Sequence, residues 1–121
     1  MADDRSNQMA RTAYLALEEK KAEKIEVIEI DQISPLADYF VIANGTNISQ
    51  VDALVEATLE KAALAGFQPD HTEGHRHANW TLIDFKGVVV HIFDEEAREF
   101  YDLARIWQDG KQLDPDNLPD E

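Results

Sequence analysis

At 121 residues, 44% of them hydrophobic, the chain suits a single domain with one core. It has no cysteine, which excludes disulfides, thiolate metal sites and cysteine nucleophiles. With 11 Lys plus Arg against 25 Asp plus Glu, the formal charge is −14, which opposes contact with phosphate backbones and favours a basic partner. Met1-Ala-Asp-Asp-Arg5 holds no cationic stretch leading into an apolar run. No apolar run approaches the ~18 residues of a membrane span. The expectation is a cytoplasmic chain with no membrane contact.

Residues 7–23 predict a first helix, with Ala10, Ala13, Tyr14 and Leu17 recurring at helical spacing. Ile25 to Ile30 is rich in β-branched residues and predicts a strand, and Ser34-Pro35 breaks the chain beyond it. Tyr39 to Ala43 is a continuous apolar run of strand length, the pattern of a central strand covered on both faces. Gly45 and Thr46 end it. Thr46 or Asn47 can then cap a helix whose stripe is Val51, Leu54, Val55, Thr58, Leu59, Ala62 and Ala63, with Gly66 as its stop.

Phe67 to Thr72 predicts a short edge strand, since Pro69 disfavours a central position, and His71 to Asn79 a polar loop. Trp80–Phe85 and Val88–Phe93 predict two strands joined by Lys86-Gly87 as a two-residue hairpin. Asp94 suits the N-cap of a last helix carrying Glu95 and Glu96 in its first turn, with Ala97, Phe100, Tyr101 and Ala104 as its apolar stripe. Residues 109–121, rich in Asp, Glu and Pro, read as an acidic disordered tail, leaving 1–108 as one α/β domain.

The two-residue turn would pair Phe85 with Val88, Asp84 with Val89, Ile83 with Val90 and Leu82 with His91, and each such pair shares a face. One face is then Thr81, Ile83, Phe85, Val88, Val90 and Ile92, suited to lie beneath helices. The other is Trp80, Leu82, Asp84, Val89, His91 and Phe93, which mixes aromatic and aliphatic groups with a carboxylate and an imidazole. That composition suits a protein-binding surface. A second helix layer over the same face, with Asp84 and His91 satisfied at its margin, is the other reading. A one-residue slip would exchange the faces.

Candidate chemistry is sparse. His71, His75 and His77 with Glu73 lack a second liganding element at zinc spacing, so a solvated loop accounts for them and no metal is expected. Gly45-Thr46 could present N–H groups to a phosphate, but neither phosphate-binding glycine motif is present, and a turn with a helix cap explains both residues. Ser34 and Ser49 lack the glycines of a nucleophile elbow. Asp84 is the only carboxylate within the central strands, whereas two-metal phosphoryl transfer needs several. No catalytic residue and no cofactor are expected. The alternative is a small nucleotide-binding or nucleotidyltransferase-like enzyme, which would need a second carboxylate facing Asp84.

Four blocks carry more than pattern: Ala37-Asp-Tyr-Phe-Val-Ile-Ala-Asn-Gly-Thr46, Trp80-Thr-Leu-Ile-Asp-Phe85, Val88-Val-Val-His-Ile-Phe93, and Arg98-Glu-Phe-Tyr-Asp-Leu103 with Ile106-Trp107. In this order, over roughly residues 7–109, they resemble the Iojap-type ribosomal silencing factors. The resemblance implies a mixed sheet of about five strands with helices, similar to nucleotidyltransferases but without their metal-binding carboxylates. It implies binding to the L-fourteen protein of the large ribosomal subunit, blocking of the small subunit, repression of translation when nutrients run short, and homodimers in solution for some members.

The motif positions that it maps are Asp38, Tyr39, Gly45, Trp80, Leu82, Asp84, His91, Arg98, Tyr101, Leu103 and Trp107. Asp38, Tyr39, Gly45 and Thr46 are expected to shape the second strand and its turn. Trp80, Leu82, Asp84, Val89, His91, Phe93, Arg98, Tyr101 and Trp107 are the expected partner-binding set. Arg98 could pair with an acidic group of the partner or with Asp94 one turn earlier. The chain departs from the family at Lys86-Gly87, where many members have Gly-Asp, at Ala104, where an acidic residue is common, and at Ser49-Gln50, which replaces a frequent Arg-His.

Overall fold

The structure, a computed structural model, describes residues 4–31, 37–74 and 77–101, together with the backbone of 111–113. Alternation along the strands sorts side chains into two apolar clusters. Val27, Val41, Ile83, Val90 and Ile92 lie in one, and Ile28, Phe40, Ile42, Val89 and Phe93 in the other. The strands that carry them are β1 (Glu23–Glu29), β2 (Tyr39–Gly45), β4 (Trp80–Asp84) and β5 (Val88–Asp94), with short strands β3 (His71–Glu73) and β6 (Lys111–Leu113) at the edges.

The sheet order is β3-β4-β5-β2-β1-β6. Among the described residues only β2 and β5 run parallel, and both are buried along nearly their whole length, as the apolar run at 39–43 predicts. The other pairings are antiparallel, so the sheet is mixed.

Helices α1 (Asp4–Glu19) and α2 (Ile48–Leu64) cover the first cluster. Met9, Ala10, Ala13 and Leu17 of α1 meet Val51, Leu54 and Val55 of α2 there. Helix α1 starts and stops earlier than the expected 7–23, because Lys21 takes a left-handed backbone (φ 62°) that ends the helix. Asn47 caps α2 by accepting the Gln50 N–H at 2.9 Å, and Gly66 (φ 89°) follows its end.

The hairpin register is the expected one, with Leu82 opposite His91 and Asp84 opposite Val89. Lys86 occupies its turn at φ 76°, a conformation that favours glycine.

Two expected elements differ. The edge strand at 67–72 is instead β3, at 71–73, where a loop had been expected to begin. Pro69 has no N–H to give, so the contact with β4 begins with the Asp70 N–H, which donates to the Asp84 carbonyl at 2.6 Å. The tail expected from Asp109 is not without structure throughout. Residues 111–113 pair with β1, Lys111 opposite Glu29 and Leu113 opposite Val27. The pairing satisfies backbone N–H and C=O groups on the outer edge of β1, a demand that an acidic composition does not reveal. The rest of that tail lies outside the described residues.

Candidate partner-binding face

Helix α3 (Glu95–Tyr101) lies against the second cluster, through Ala97. Asp94 caps it, accepting the Ala97 N–H at 2.8 Å. The two readings of the mixed face divide its residues between them. Phe93 is 0% exposed, His91 4% and Val89 8%, whereas Trp80, Leu82 and Asp84 are half-buried. Val89, His91 and Phe93 are therefore corrected out of the surface set: the Trp80 ring lies against His91 and Phe93, and Val89 packs in the cluster that includes Ala37 and Phe40. The Trp80 ring centroid lies 5.0 Å from that of Phe93 and 4.5 Å from that of Tyr101. Phe100, assigned by spacing to an inward stripe, is instead 80% exposed beside Tyr101. Leu103, Ala104 and Trp107 lie outside the described residues.

Trp80 is held from two sides. Its indole Nε1–H donates to His91 Nδ1 at 3.2 Å. An indole can only donate, so neutral His91 carries its proton on Nε2. That Nε2 is buried with no hydrogen-bond partner among the described residues. On the chain's approach to Trp80, Gly74 adopts φ 77°, and a Cβ there would lie 2.2 Å from the Trp80 carbonyl oxygen. Only glycine fits at that crossing. Phe40 meets the His91 ring edge-on at 4.7 Å.

Burial lowers the His91 pKa to about 4, because a charged imidazole would lose its water. The unfolded chain takes up a proton near the ordinary value while the folded chain does not. Stability is thus full above about pH 6.5 and falls as the pH drops towards 4, by on the order of 3 kcal/mol. Protonation would also set an N–H against the Trp80 N–H. Urea midpoints at pH 7 and pH 4 check this: His91→Gln should lose less stability on acidification than the parent chain, and an equal loss would contradict it.

Within the chain Arg98 pairs with Glu26 rather than with the expected Asp94. Its guanidinium, with a side chain 10% exposed, pairs with Glu26 of β1 and donates to Asn44 Oδ1 of β2 at 3.1 Å. Asn44 in turn donates to Glu23 at 3.2 Å. The residue fastens α3 to two strands. Arg98→Ala should cost roughly 2–3 kcal/mol of stability in urea titration, since it removes a nearly buried guanidinium together with its bonds to Glu26 and Asn44. A change under about 0.5 kcal/mol would contradict that role. Nothing in the spacing of 26, 44 and 98 could reveal this link, because the strand order creates it.

The remaining motif residues sit around β2. The Tyr39 hydroxyl donates to Asn7 of α1, the Asp38 N–H donates to the Gly87 carbonyl at 2.8 Å, and a Cβ on Gly45 would press on Gln50 at 3.2 Å. The Gln50 side-chain oxygen accepts from the N–H of Thr46 at 2.7 Å and from its hydroxyl at 2.9 Å. The Gly45-Thr46 turn thus has its donors engaged from within the chain. Asp84 accepts the Lys86 N–H at 2.7 Å. A second carboxylate does approach Asp84, that of Asp70, together with His71. The sequence reading does not find it, because it places Asp70 and His71 without a cross-strand register.

Comparison with known proteins agrees with this architecture. The family profile described as "Ribosomal silencing factor during starvation" matches residues 3–121. The chain is 36% identical over 106 residues to the ribosomal silencing factor RsfS of Bacillus subtilis, covering 88% of this chain and 90% of that protein. A crystal structure of a protein from Chromobacterium violaceum is similar at a TM-score of 0.80 and 29% identity, covering 88% of each chain. A mouse protein named "Mitochondrial assembly of ribosomal large subunit protein 1" is 30% identical over 94 residues, covering 75% of this chain and 41% of its own length. The chain belongs to the ribosomal silencing factor (RsfS) family.

Proposed function

We propose that this protein binds the L-fourteen protein of the large ribosomal subunit through the outer end of the β4–α3 face, in the cytoplasm and without catalysis. Bound there, the folded body keeps the small subunit away by volume alone and represses translation when nutrients run short. The observation that carries the reading is Trp80: a half-buried indole, fixed in place by His91, flanked by Leu82 and Tyr101, with Glu73 beside it.

A rigid aromatic at the edge of a polar rim has the make-up of a binding hot spot. The net charge of −14 suits a basic ribosomal protein surface. The family name and the name of the mouse relative support a large-subunit partner. When free, the protein is proposed to form homodimers that cover exposed Phe100 and its neighbours.

Size-exclusion chromatography with and without purified L-fourteen protein tests the reading. A shared peak that weakens as salt rises is expected. Separate elution at low salt would contradict it.

A further inference from the structure

His71 stands opposite Asp84 across the β3–β4 ladder, and the backbone bond from Asp70 draws a second carboxylate to the same place. One donor atom each from Asp70, His71 and Asp84 can lie within 4.8 Å of the other two. Donors around a tetrahedral ion sit about 3–3.5 Å apart, given metal–ligand bonds near 2.1 Å. Asp70 and His71 are exposed, and small side-chain rotations would close the difference.

We propose that Asp70, His71 and Asp84 form a surface site for one divalent transition-metal ion, of which Zn2+ is the representative. Each ligand is supported. Glu73 Oε2 lies 2.8 Å from His71 Nε2. A carboxylate that accepts the Nε2–H leaves the Nδ1 lone pair for a metal and orients the ring. Asp84 has one oxygen held by the Lys86 N–H, which fixes the carboxylate plane and leaves its other oxygen.

Charge points the same way. Lys86 Nζ lies 3.8 Å from Asp70, so three carboxylates, those of Asp70, Glu73 and Asp84, converge on one imidazole beside a single lysine. A dication offsets that excess. An imidazole with two carboxylates suits zinc and its neighbours better than magnesium. The ion would tie the three-residue edge strand β3 to β4, on the flank of the sheet away from α3. Metal binding is measured without the ribosomal partner, so its outcome does not turn on the L-fourteen reading, although Asp84 belongs to the expected partner-binding set.

The full-length chain, stripped with chelator, is titrated with ZnCl2 by calorimetry and melted at each metal concentration, with MgCl2 in parallel. One ion per chain is expected, together with a melting temperature that climbs with Zn2+ and not with Mg2+. His71→Gln and Asp84→Asn should each weaken binding at least about tenfold. His77→Gln should leave it unchanged, because His77 lies beside Asp52 on α2. Paramagnetic Co2+, added below stoichiometry to the unsubstituted chain, should broaden the amide signals of Asp70, His71 and Asp84 before others. Absence of saturable Zn2+ binding, full affinity in His71→Gln, or earlier broadening elsewhere would overturn the site.

Discussion

Trp80→Ala should weaken binding to the L-fourteen protein at least about tenfold, on a scale of 1.4 kcal/mol per decade. The structure also revises what this substitution does to folding. From the alternating pattern alone Trp80 could be removed with little effect on the melt. In the fold its ring covers Phe93 and engages His91, so truncation opens a fully buried phenylalanine to water. A fully buried Trp→Ala costs roughly 3–5 kcal/mol, and a half-buried one should cost less, about 1–2 kcal/mol. Affinity must therefore be measured well below the variant's melting transition, where all of the chain is folded. Trp80→Phe separates the two effects. It keeps a ring over Phe93 and should recover most of the stability while still binding more weakly than the parent chain. Undiminished affinity in Trp80→Ala would remove this residue from the contact.

Ile83→Ala should do the reverse. Ile83 is 0% exposed on the opposite face of the same strand, in the cluster that α1 and α2 cover. Removing its outer carbons leaves a cavity and should lower the unfolding free energy by about 2–5 kcal/mol. The folded fraction should bind with the parent affinity, because no part of Ile83 reaches the outer face. Urea titration checks the first effect and binding at low temperature the second. A loss under about 1 kcal/mol would mean that the two faces of β4 are exchanged.

Both predictions rest on a register that the residues themselves specify. A two-residue turn at Lys86-Gly87, with successive side chains on opposite faces of each strand, leaves one pairing that gathers Thr81, Ile83, Val90 and Ile92 on a common face. The apolar run at 39–43 likewise marks its strand as central. What stays hidden are the contacts made by strand order. Arg98 reaches Glu26 and Asn44 only because β1, β2 and β5 are neighbours. The assignment of Phe100 to an inward stripe fails because spacing does not say which of two adjacent aromatics turns inward, and it is Tyr101 that meets Trp80.

Among the residues expected at the partner face, pattern distinguishes inside from outside but not covered from open. Val89, His91 and Phe93 share a face with Leu82, yet Trp80 lies against His91 and Phe93, and Val89 packs in the cluster of Ala37 and Phe40. What packs over a face leaves no mark on the strand's own alternation. The pairing of residues 111–113 with β1 is hidden for a related reason, since three residues are too short for a period and their acidic surroundings dominate the composition.

Sedimentation of ribosomal particles tests the central claim most directly. Purified large and small subunits are mixed with the chain and separated on a sucrose gradient, and each fraction is probed for it. The account predicts signal in the large-subunit peak, none in the small-subunit peak, and fewer whole ribosomes as the chain is added. Equal signal in the small-subunit peak, or whole ribosomes that form undiminished with the chain bound, would contradict it.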